Sequence, residues 1–447
     1  MKTHDVDVDI DVNSAEADSL KRVFGLPTLV IYGVGDILGA GIYAVIGKIA
    51  GLSGTLVWAS FLTAMVVAAL TALSYAELGS RFPQSGGVAC FVHRAFRTDW
   101  LSVLVGWLMF CTCLVSMATL SKAFAGYLNA FAPAIPAWLI VLALFFTLAF
   151  INFRGMKESS ALNIFCTFVE VTGLLIVIVV AFFFLSGGST ANPVAVPDQQ
   201  TIGWVAVVQG AALAFYAFIG FEDIVNVAEE VKNPERNVPR AILLALAIAG
   251  VVYILVSWLA LQVLNPLEIS ASEAPLLDVV RRAQPSFPQI VFTIIALFAV
   301  LNTTLLNFVT ASRLLFGMSR EGLLPAWLGR LHQRRATPYR TLLVILPIAI
   351  FLSLSGTLEF LAGTTATLIL AMFCLVNLSL LLIKRREPET NGFKVPYIIP
   401  AIALLFNLIL LAFASLSSHI LALIFTAIGV LLIFLQRAMK RRHLPNT

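Results

Sequence analysis

Long runs of apolar residues alternate along this chain with short stretches of charged and turn-forming residues. About 20 consecutive apolar residues are enough for a helix to cross a lipid bilayer. Runs of that kind, each closed by charges or turn residues, predict twelve transmembrane helices. They cover residues 27–50, 54–79, 100–130, 136–152, 160–186, 201–228, 239–264, 288–318, 341–355, 358–383, 397–416 and 419–436. The pattern therefore predicts an all-α integral membrane protein.

The first apolar run contains an interruption. Residues 33–47 read GVGDILGAGIYAVIG, which places a Gly-Ala-Gly sequence and the acid Asp36 inside the predicted helix. A helix that breaks within the bilayer leaves backbone N–H and C=O groups that only protein, a water-filled cavity or a ligand can satisfy. Such breaks occur where a membrane protein lines a pathway. This segment is therefore a candidate binding site.

A second interruption lies in the sixth predicted helix. Residues 215–231 read FYAFIGFEDIVNVAEEV, with Gly220 among aromatic residues and the acids Glu222 and Asp223 soon after it. Interrupted helices at matching places in two halves of a chain point to a binding site in the middle of the membrane. Helices one and six begin on opposite sides of the membrane. Their positions therefore predict an inverted repeat of five plus five helices, followed by two C-terminal helices.

The composition excludes a soluble protein. Hydrophobic residues make up 60% of the 447 residues, charged residues make up 12%, and the mean hydropathy is +0.94. Most of the 29 Lys and Arg residues lie in the tails or beside the even-to-odd loops. The positive-inside rule then places these loops and both termini in the cytoplasm, in a multi-pass protein of the cell membrane. The net charge of +5 follows from this asymmetry and gives no reason to expect a nucleic-acid partner.

No predicted loop is long enough for a soluble domain, so the helices must carry the function. Membrane enzymes usually display His, Asp or Glu clustered at one interface, and the five histidines here all lie away from the middle of the predicted helices. This distribution argues against a histidine metal centre, a histidine proton relay and an enzyme, and no cofactor is expected. The N-terminal residues lack the basic segment and apolar core of a cleaved signal peptide and predict a disordered acidic tail.

Four segments together resemble the amino acid–polyamine–organocation (APC) permeases. They are GAGIY at 39–43, SYAELGSRFPQSGG at 74–87, FYAFIGFEDIVNVAEEVKNPERNVPRAI at 215–242 and SRLLFGMSREGLLP at 312–325. They follow one another in the family's order and extend over most of the first ten predicted helices. The resemblance implies the family's fold, with five plus five inverted helices and two more at the end. It also implies transport of amino acids or amines by alternating access.

The chain departs from the family's pattern at two places. Cys90 and Phe91 stand where many members carry two tyrosines. Glu170 stands in the fifth predicted helix, at the position of a lysine that is thought to replace a sodium ion in several members. An acid at this position leaves the coupling ion, H⁺ or Na⁺, open.

The half-helix after the first break begins with a candidate carboxylate site. Ala40, Gly41 and Ile42 are predicted to offer free backbone N–H groups, and a helix N-terminus carries about half a positive charge. Gly39 and Gly41 have no Cβ atom to block the close approach of a substrate. The alternative interpretation is that these glycines only let helices pack closely.

The resemblance places the amino group of a substrate against the backbone carbonyls of Ile37, Tyr216 and Ile219, beside Gly220. Carbonyl groups at the ends of half-helices favour a cation. Tyr216 occupies the position at which the arginine/agmatine exchangers carry a tryptophan. An aromatic side chain there is expected to close over the substrate and attract its cation. The alternative is an ordinary packed aromatic residue.

Three acids, Asp36, Glu170 and Glu222, are predicted to lie within the membrane. Burying a charge there costs at least ~2.5–3.5 kcal/mol, and burial favours the neutral form of a carboxyl group, so each acid is a candidate proton carrier. Glu222 is the first choice, because it directly follows the break in the sixth helix, and it matches an acid common in the family; Glu170 is the second choice. The resemblance to members that use sodium, which place hydroxyl ligands here, gives Thr303 and Thr304, together with Glu170, as an alternative, oxygen-rich sodium site. The structural alternatives are acids that only pack helices and threonines that bond to their own helix.

We therefore expect a secondary transporter of amino acids that is coupled to protons. Exchange of amino acids or polyamines, sodium-coupled uptake, and a membrane sensor that binds an amino acid without moving it all stay open. The expected partners are a small amino acid or amine and the lipid bilayer, and the sequence does not indicate an oligomeric state. The predicted organisation is a tail at 1–26, a ten-helix transport core at 27–384, two further helices at 397–436 and a basic tail at 437–447.

Overall fold

The computed structural model describes residue 22 and residues 24–83, 87–154, 156–187, 203–320, 324–330, 337–389 and 392–443. Within these ranges the chain is helical and contains no β-strand. Most of the predicted acidic tail at 1–26 lies outside the described residues.

The helices are numbered in chain order. They are α1 (Leu26–Ile37), α2 (Gly41–Ser53), α3 (Val57–Arg81), α4 (Gly87–Phe96), α5 (Asp99–Phe131), α6 (Ala137–Arg154), α7 (Met156–Ser186), α8 (Trp204–Ala214), α9 (Pro234–Val263), α10 (Pro266–Ala271), α11 (Pro275–Ala283), α12 (Gln289–Arg320), α13 (Tyr339–Ser355), α14 (Leu358–Arg386), α15 (Ile398–Phe413) and α16 (Leu416–His443). Four short 3₁₀ segments cover Gly54–Leu56, Phe215–Phe218, Phe221–Glu230 and Ala326–Gly329.

Helix length and composition agree with a membrane protein. In the part of the chain that the structure describes, eight helical segments are long and apolar enough to cross a bilayer, and further apolar helices have 10–17 residues. The prediction of an all-α integral membrane protein is confirmed. The number of twelve spans stays a prediction, because length alone does not decide whether each shorter helix crosses.

The outer faces of the helices are apolar. Phe182 and Phe183 on α7 and Phe434 on α16 are each more than 60% exposed, as are other large apolar side chains. Contiguous apolar surface of this kind is rare on soluble monomers and is typical of a surface that contacts lipid. This surface agrees with the lipid bilayer as a partner.

Both predicted interruptions are present. α1 ends at Ile37, and α2 begins at Gly41. α8 ends at Ala214 and continues into a 3₁₀ turn, after which Ile219 has an extended backbone and Gly220 has a φ of 129°. Residues with a Cβ atom rarely adopt this φ, so glycine permits the reversal of the chain here.

The two interruptions lie against each other. A Cβ atom added to Gly220 would lie 2.9 Å from the carbonyl oxygen of Asp36 and 3.1 Å from the nitrogen of Ile37. A Cβ atom added to Gly41 would lie 2.6 Å from the Cα atom of Ala217. Backbones approach this closely only where a side chain is absent. The close packing supports the structural interpretation of Gly41, and it is compatible with a binding role for the same residue.

Longer helices enclose the interruptions. α12 packs along α5, α3 packs along α9, and α1 lies against α9. Buried hydrogen bonds join α3 to α14 and α15. Asn377 and Asn407 both donate to Thr71, at 3.2 and 2.7 Å, and Ser74 donates to Asn377 at 2.6 Å. Because buried polar groups need partners, these contacts fix how the three helices pack.

A buried ion network joins the C-terminal end of α3 to α14. The carboxylate of Glu77 accepts hydrogen bonds from the ammonium of Lys384 at 2.7 and 2.8 Å and from Arg81 at 2.6 and 2.9 Å. It also accepts from the backbone N–H of Val395 at 2.8 Å. The network thereby attaches the segment after α14 to α3.

Phe91, at one of the two departures from the family's pattern, is fully buried in α4. Its ring lies 6.1 Å from the ring of Tyr75 and meets it edge to face. An aromatic contact therefore packs α4 against α3 at this position.

Candidate functional site

A small cavity with a volume of about 60 Å³ lies where the two interruptions meet. Its wall is formed by α1, the start of α2, the segment from Tyr216 to Asp223, α5, α12 and α14. Nine of the predicted site residues line it, namely Asp36, Ile37, Gly39, Gly41, Tyr216, Ile219, Gly220, Glu222 and Thr303. Ala40, Ile42, Glu170 and Thr304 lie outside the lining.

The N-terminus of α2 faces this cavity. Its first intrahelical donor is Ala44, which donates to the carbonyl of Ala40 at 2.9 Å, so helix geometry leaves the N–H groups of Gly41 and Ile42 without an intrahelical partner. The N–H of Ala40, which the sequence analysis predicts to be free, donates to the hydroxyl of Thr303 at 3.1 Å. The available donors therefore begin at Gly41.

The carbonyl at the end of α1 already has one partner. Tyr253 of α9, which the sequence analysis does not identify, donates its hydroxyl to the carbonyl oxygen of Ile37. A carbonyl oxygen accepts two hydrogen bonds, so Ile37 retains capacity for a second donor such as an ammonium.

Tyr216 forms part of the cavity wall and is held from α5. Its hydroxyl lies 3.3 Å from the hydroxyl of Ser116. Asn307 of α12 donates to the same Ser116 at 3.3 Å and to the carbonyl of Thr303 at 2.9 Å. These contacts connect α5, α12 and the second interruption around the cavity.

Three carboxyl groups face the cavity. Glu222 is 2% exposed, and its Oε2 accepts the N–H of Gly220 at 2.8 Å. Its Oε1 and the Oδ2 of Asp36 are buried and have no hydrogen-bond partner in the described part of the chain. Asp223 accepts a hydrogen bond from Asn226 at 2.8 Å. The acidic groups thus lie directly beside the backbone breaks.

Glu170 lies next to the first interruption but outside the cavity. It is fully buried, and neither carboxyl oxygen has a hydrogen-bond partner among the described residues. A Cβ atom added to Gly39 would lie 3.5 Å from Glu170 Oε1 and 2.5 Å from Thr303 Oγ1, so these groups meet at Gly39. Thr304 differs, because its hydroxyl donates to the carbonyl of Val300 at 2.6 Å within its own helix.

A larger cavity of about 590 Å³ shares Asp36, Glu222 and Asp223 with the small one. It is lined by α1, α4, the start of α5, the segment up to Glu230 and the second half of α12. It therefore lies on the side of the protein where α12 ends.

The opposite side of the small cavity is tightly packed. Tyr127 of α5 donates its hydroxyl to the carbonyl of Tyr43 at 3.1 Å, and the two rings meet edge to face at 6.2 Å. A Cβ atom added to Gly47 of α2 would lie 2.7 Å from the carbonyl oxygen of Ile269 in α10. Helix α2 is thus held against α5 and α10 at this side.

Comparisons with known proteins agree with this architecture. A family described as "Amino acid permease" matches residues 24–435. The chain is 27% identical to the branched-chain amino acid permease BcaP of Bacillus subtilis, over 95% of this chain and 94% of the relative. It is 27% identical to the methylthioribose transporter of B. subtilis over 86% of each, and 28% identical to cationic amino acid transporter 4 of Mus musculus over 85% of this chain and 62% of the relative.

These relatives are transporters, so the predictions of an APC permease and of a protein that is not an enzyme are confirmed. The chain belongs to the amino acid permease family of the APC superfamily.

Proposed function

We propose that this chain moves amino acids or related amines across the cell membrane by alternating access, as a secondary transporter without a prosthetic group. One observation carries the proposal. The cavity at the two helix breaks adjoins a larger cavity on one side of the protein, and on the other side the contact between Tyr127 and Tyr43 packs α5 against α2. A site that is accessible from one side at a time is what alternating access requires.

The proposed topology has twelve spans, with α1 and α2 forming the first and the segment from α8 to Glu230 forming the sixth. The first ten form the inverted repeat at 27–384, and two more follow at 397–436. Basic residues cluster after α12 and in the last turns of α14 and α16, so the positive-inside rule places these ends and both termini in the cytoplasm. The larger cavity then faces the cytoplasm.

The proposed substrate pose uses the backbone at both breaks. The α-carboxylate lies at the N–H groups of Gly41 and Ile42, where the positive end of the α2 dipole favours an anion. The α-amino group lies at the carbonyls of Ile37 and Ile219, and the ring of Tyr216 covers it. The names of the relatives include branched-chain and cationic amino acids and methylthioribose, so they support a small polar substrate of several chemical types.

Protons are the proposed coupling ion. Glu222 adjoins the second break and has one unpartnered buried oxygen, so its protonation would respond to arrival of a substrate. Glu170, with two unpartnered oxygens, is the second candidate carrier. The alternative sodium site stays open, because the Thr304 hydroxyl donates its hydrogen to Val300 and its oxygen keeps lone pairs for a cation.

Solute counterflow in proteoliposomes tests the proposal. Vesicles loaded with an unlabelled amino acid and given a trace of the same labelled amino acid outside are expected to accumulate label transiently, whereas protein-free vesicles are not. Leucine, arginine and putrescine are suitable first solutes. Binding of a solute without accumulation of label would contradict transport and favour the sensor.

A further inference from the structure

Exposed basic residues cluster at the start of α9, on the proposed cytoplasmic side. Lys232, Arg236 and Arg240 are all exposed, and Arg236 and Arg240 lie one helical turn apart on the same face. None of the three forms an ion pair with another residue in the described part of the chain. They differ in this from Lys384, whose ammonium is buried against Glu77. Their charges are therefore available to a ligand outside the protein.

The same face of α9 continues as an exposed apolar surface. Leu244, Ile248, Val251 and Leu255 follow Arg240 at steps of three or four residues, and each is between 41% and 55% exposed. An exposed apolar face on a membrane helix contacts the acyl chains of lipids. The basic residues at the start of this face therefore lie at the level of the lipid headgroups, where long cationic side chains place their charges.

A backbone bridge brings a fourth cation to the same place. The N–H of Phe24 donates to the carbonyl of Glu230 at 3.0 Å, and the N–H of Lys232 donates to the carbonyl of Phe24 at 2.9 Å. Helix α1 begins two residues after Phe24 and packs along α9. Arg22, which is exposed, precedes Phe24 by two residues. The bridge thus holds Arg22 close to the start of α9.

The acids near these residues do not balance their positive charge. Glu229 and Glu230 are half-buried, and Glu230 lines the larger cavity. Glu235 is the one exposed acid within residues 231–240, all of which the structure describes. It lies one residue before Arg236, so its side chain points about 100° away around the helix. An excess of positive charge therefore remains on this surface.

We propose that a basic surface formed by Arg22, Lys232, Arg236 and Arg240 binds the headgroup of an anionic phospholipid, whose acyl chains lie along the apolar face of α9. A lipid phosphate accepts charge-assisted hydrogen bonds from guanidinium and ammonium groups. A headgroup with a net negative charge gains about fivefold in affinity for each such cation, whereas a zwitterionic headgroup has no net charge to attract. A lipid held by Arg22 and Arg236 also strengthens the contact of α1 with α9.

Native mass spectrometry of the purified full-length chain in detergent tests the basic surface. With equal amounts of phosphatidylglycerol and phosphatidylcholine that carry the same acyl chains, the chain is expected to retain phosphatidylglycerol about tenfold more often. Phosphatidylglycerol should also raise the melting temperature, whereas inorganic phosphate at the same concentration should not. Equal retention of the two lipids, or equal stabilisation by inorganic phosphate, would overturn the inference.

Charge-neutral variants assign the retained lipid to residues. The double variant Arg236→Gln with Arg240→Gln is expected to lose the preference for phosphatidylglycerol about tenfold or more. The matched control is Arg385→Gln with Lys394→Gln, which removes the same charge from two exposed residues elsewhere on the proposed cytoplasmic side and should keep the preference. Equal loss in both double variants would show that only net charge matters and would overturn the site. Melting temperatures in detergent without added lipid verify that both variants fold.

The acidic N-terminal residues of the chain are the other possible occupant by charge. Neutralising Asp5, Asp7, Asp9 and Asp11 to Asn is expected to leave the retention of phosphatidylglycerol unchanged, because the apolar face beside the basic surface fits acyl chains. A clear rise in retention would assign the basic surface to the acidic segment and overturn the lipid. These measurements use no amino acid, so their failure and a failure of solute counterflow are distinguishable.

Discussion

Gly220 lies directly against the backbone of Asp36: a Cβ atom added to Gly220 would stand 2.9 Å from the Asp36 carbonyl oxygen. The backbone of Gly220 also has a φ of 129°. Both features require glycine, and they join the interruption between α8 and α9 to the interruption between α1 and α2. The candidate site exists because these two breaks meet.

Gly220→Ala is therefore expected to destabilise the protein by about 1–3 kcal/mol, because it imposes a strained φ as well as a steric clash. The variant should also lose substrate binding. The control is Gly106→Ala in α5, where no atom lies within 4 Å of the added Cβ and a helical alanine is favourable. Thermal unfolding followed by tryptophan fluorescence measures the stability of the two variants. Equal melting temperatures would contradict the tight contact at Gly220.

The position of the two breaks could be predicted from the sequence because the signal is local. Glycines and an acid within an apolar run indicate a break in a membrane helix. Residues 38–40 and 219–220 interrupt the helices as expected. Local reasoning and the family resemblance together identified nine residues that line the cavity.

The partners of these breaks could not be predicted, because they come from distant parts of the chain. Tyr253 reaches Ile37 across 216 positions, and Thr303 reaches Ala40 across 263. Nothing in the sequence fixes the rotation of α12, which directs Thr303 to the break and Thr304 into its own helix. Asn307 is the one missed residue that the sequence could have indicated. It lies four residues after Thr303 and hence on the same face of the helix.

Tyr216 is expected to contribute an aromatic face to substrate binding. Tyr216→Ala should weaken the binding of an amino acid or amine by about 0.5–2 kcal/mol, the usual range of a cation–π contact. Tyr216→Trp should retain most of the affinity. Tyr216→Phe, which removes only the hydroxyl near Ser116, serves as the control for the loss of that contact. Equal losses in the alanine and tryptophan variants, measured by titration, would show that Tyr216 only packs.

Cys113 offers a chemical test of the cavity. Cys113 lines it, whereas Cys111, two residues away on α5, does not. In variants that keep only one of the two thiols, a small methanethiosulfonate reagent is expected to modify Cys113 and to be slowed by bound substrate. Cys111 should stay unmodified, because buried thiols outside a cavity are inert. Mass spectrometry measures the modification, and equal labelling of both thiols would contradict the assigned wall of the cavity.

The ion network at the end of α3 is expected to stabilise the fold. Lys384→Met removes the ammonium that lies 2.7 Å from Glu77 and should destabilise the protein by about 1.5–3 kcal/mol, because Glu77 loses one buried charge-assisted partner and keeps Arg81 and the N–H of Val395. Arg385→Met removes an exposed neighbouring charge and is the control. A Lys384→Met variant that melts at the same temperature as the control would show that the network contributes nothing measurable.

Uptake of labelled arginine into proteoliposomes under imposed ion gradients tests most directly whether the acids at the breaks drive transport. An inward proton gradient is expected to accelerate uptake, an inward sodium gradient is expected to have no effect, and Glu222→Gln should remove the response to pH while exchange continues in part. These results would follow from an acid whose charge biases the inward- and outward-facing states differently. Uptake that follows the sodium gradient and ignores pH in the unmodified protein would contradict proton coupling and favour the cation site of Glu170, Thr303 and Thr304.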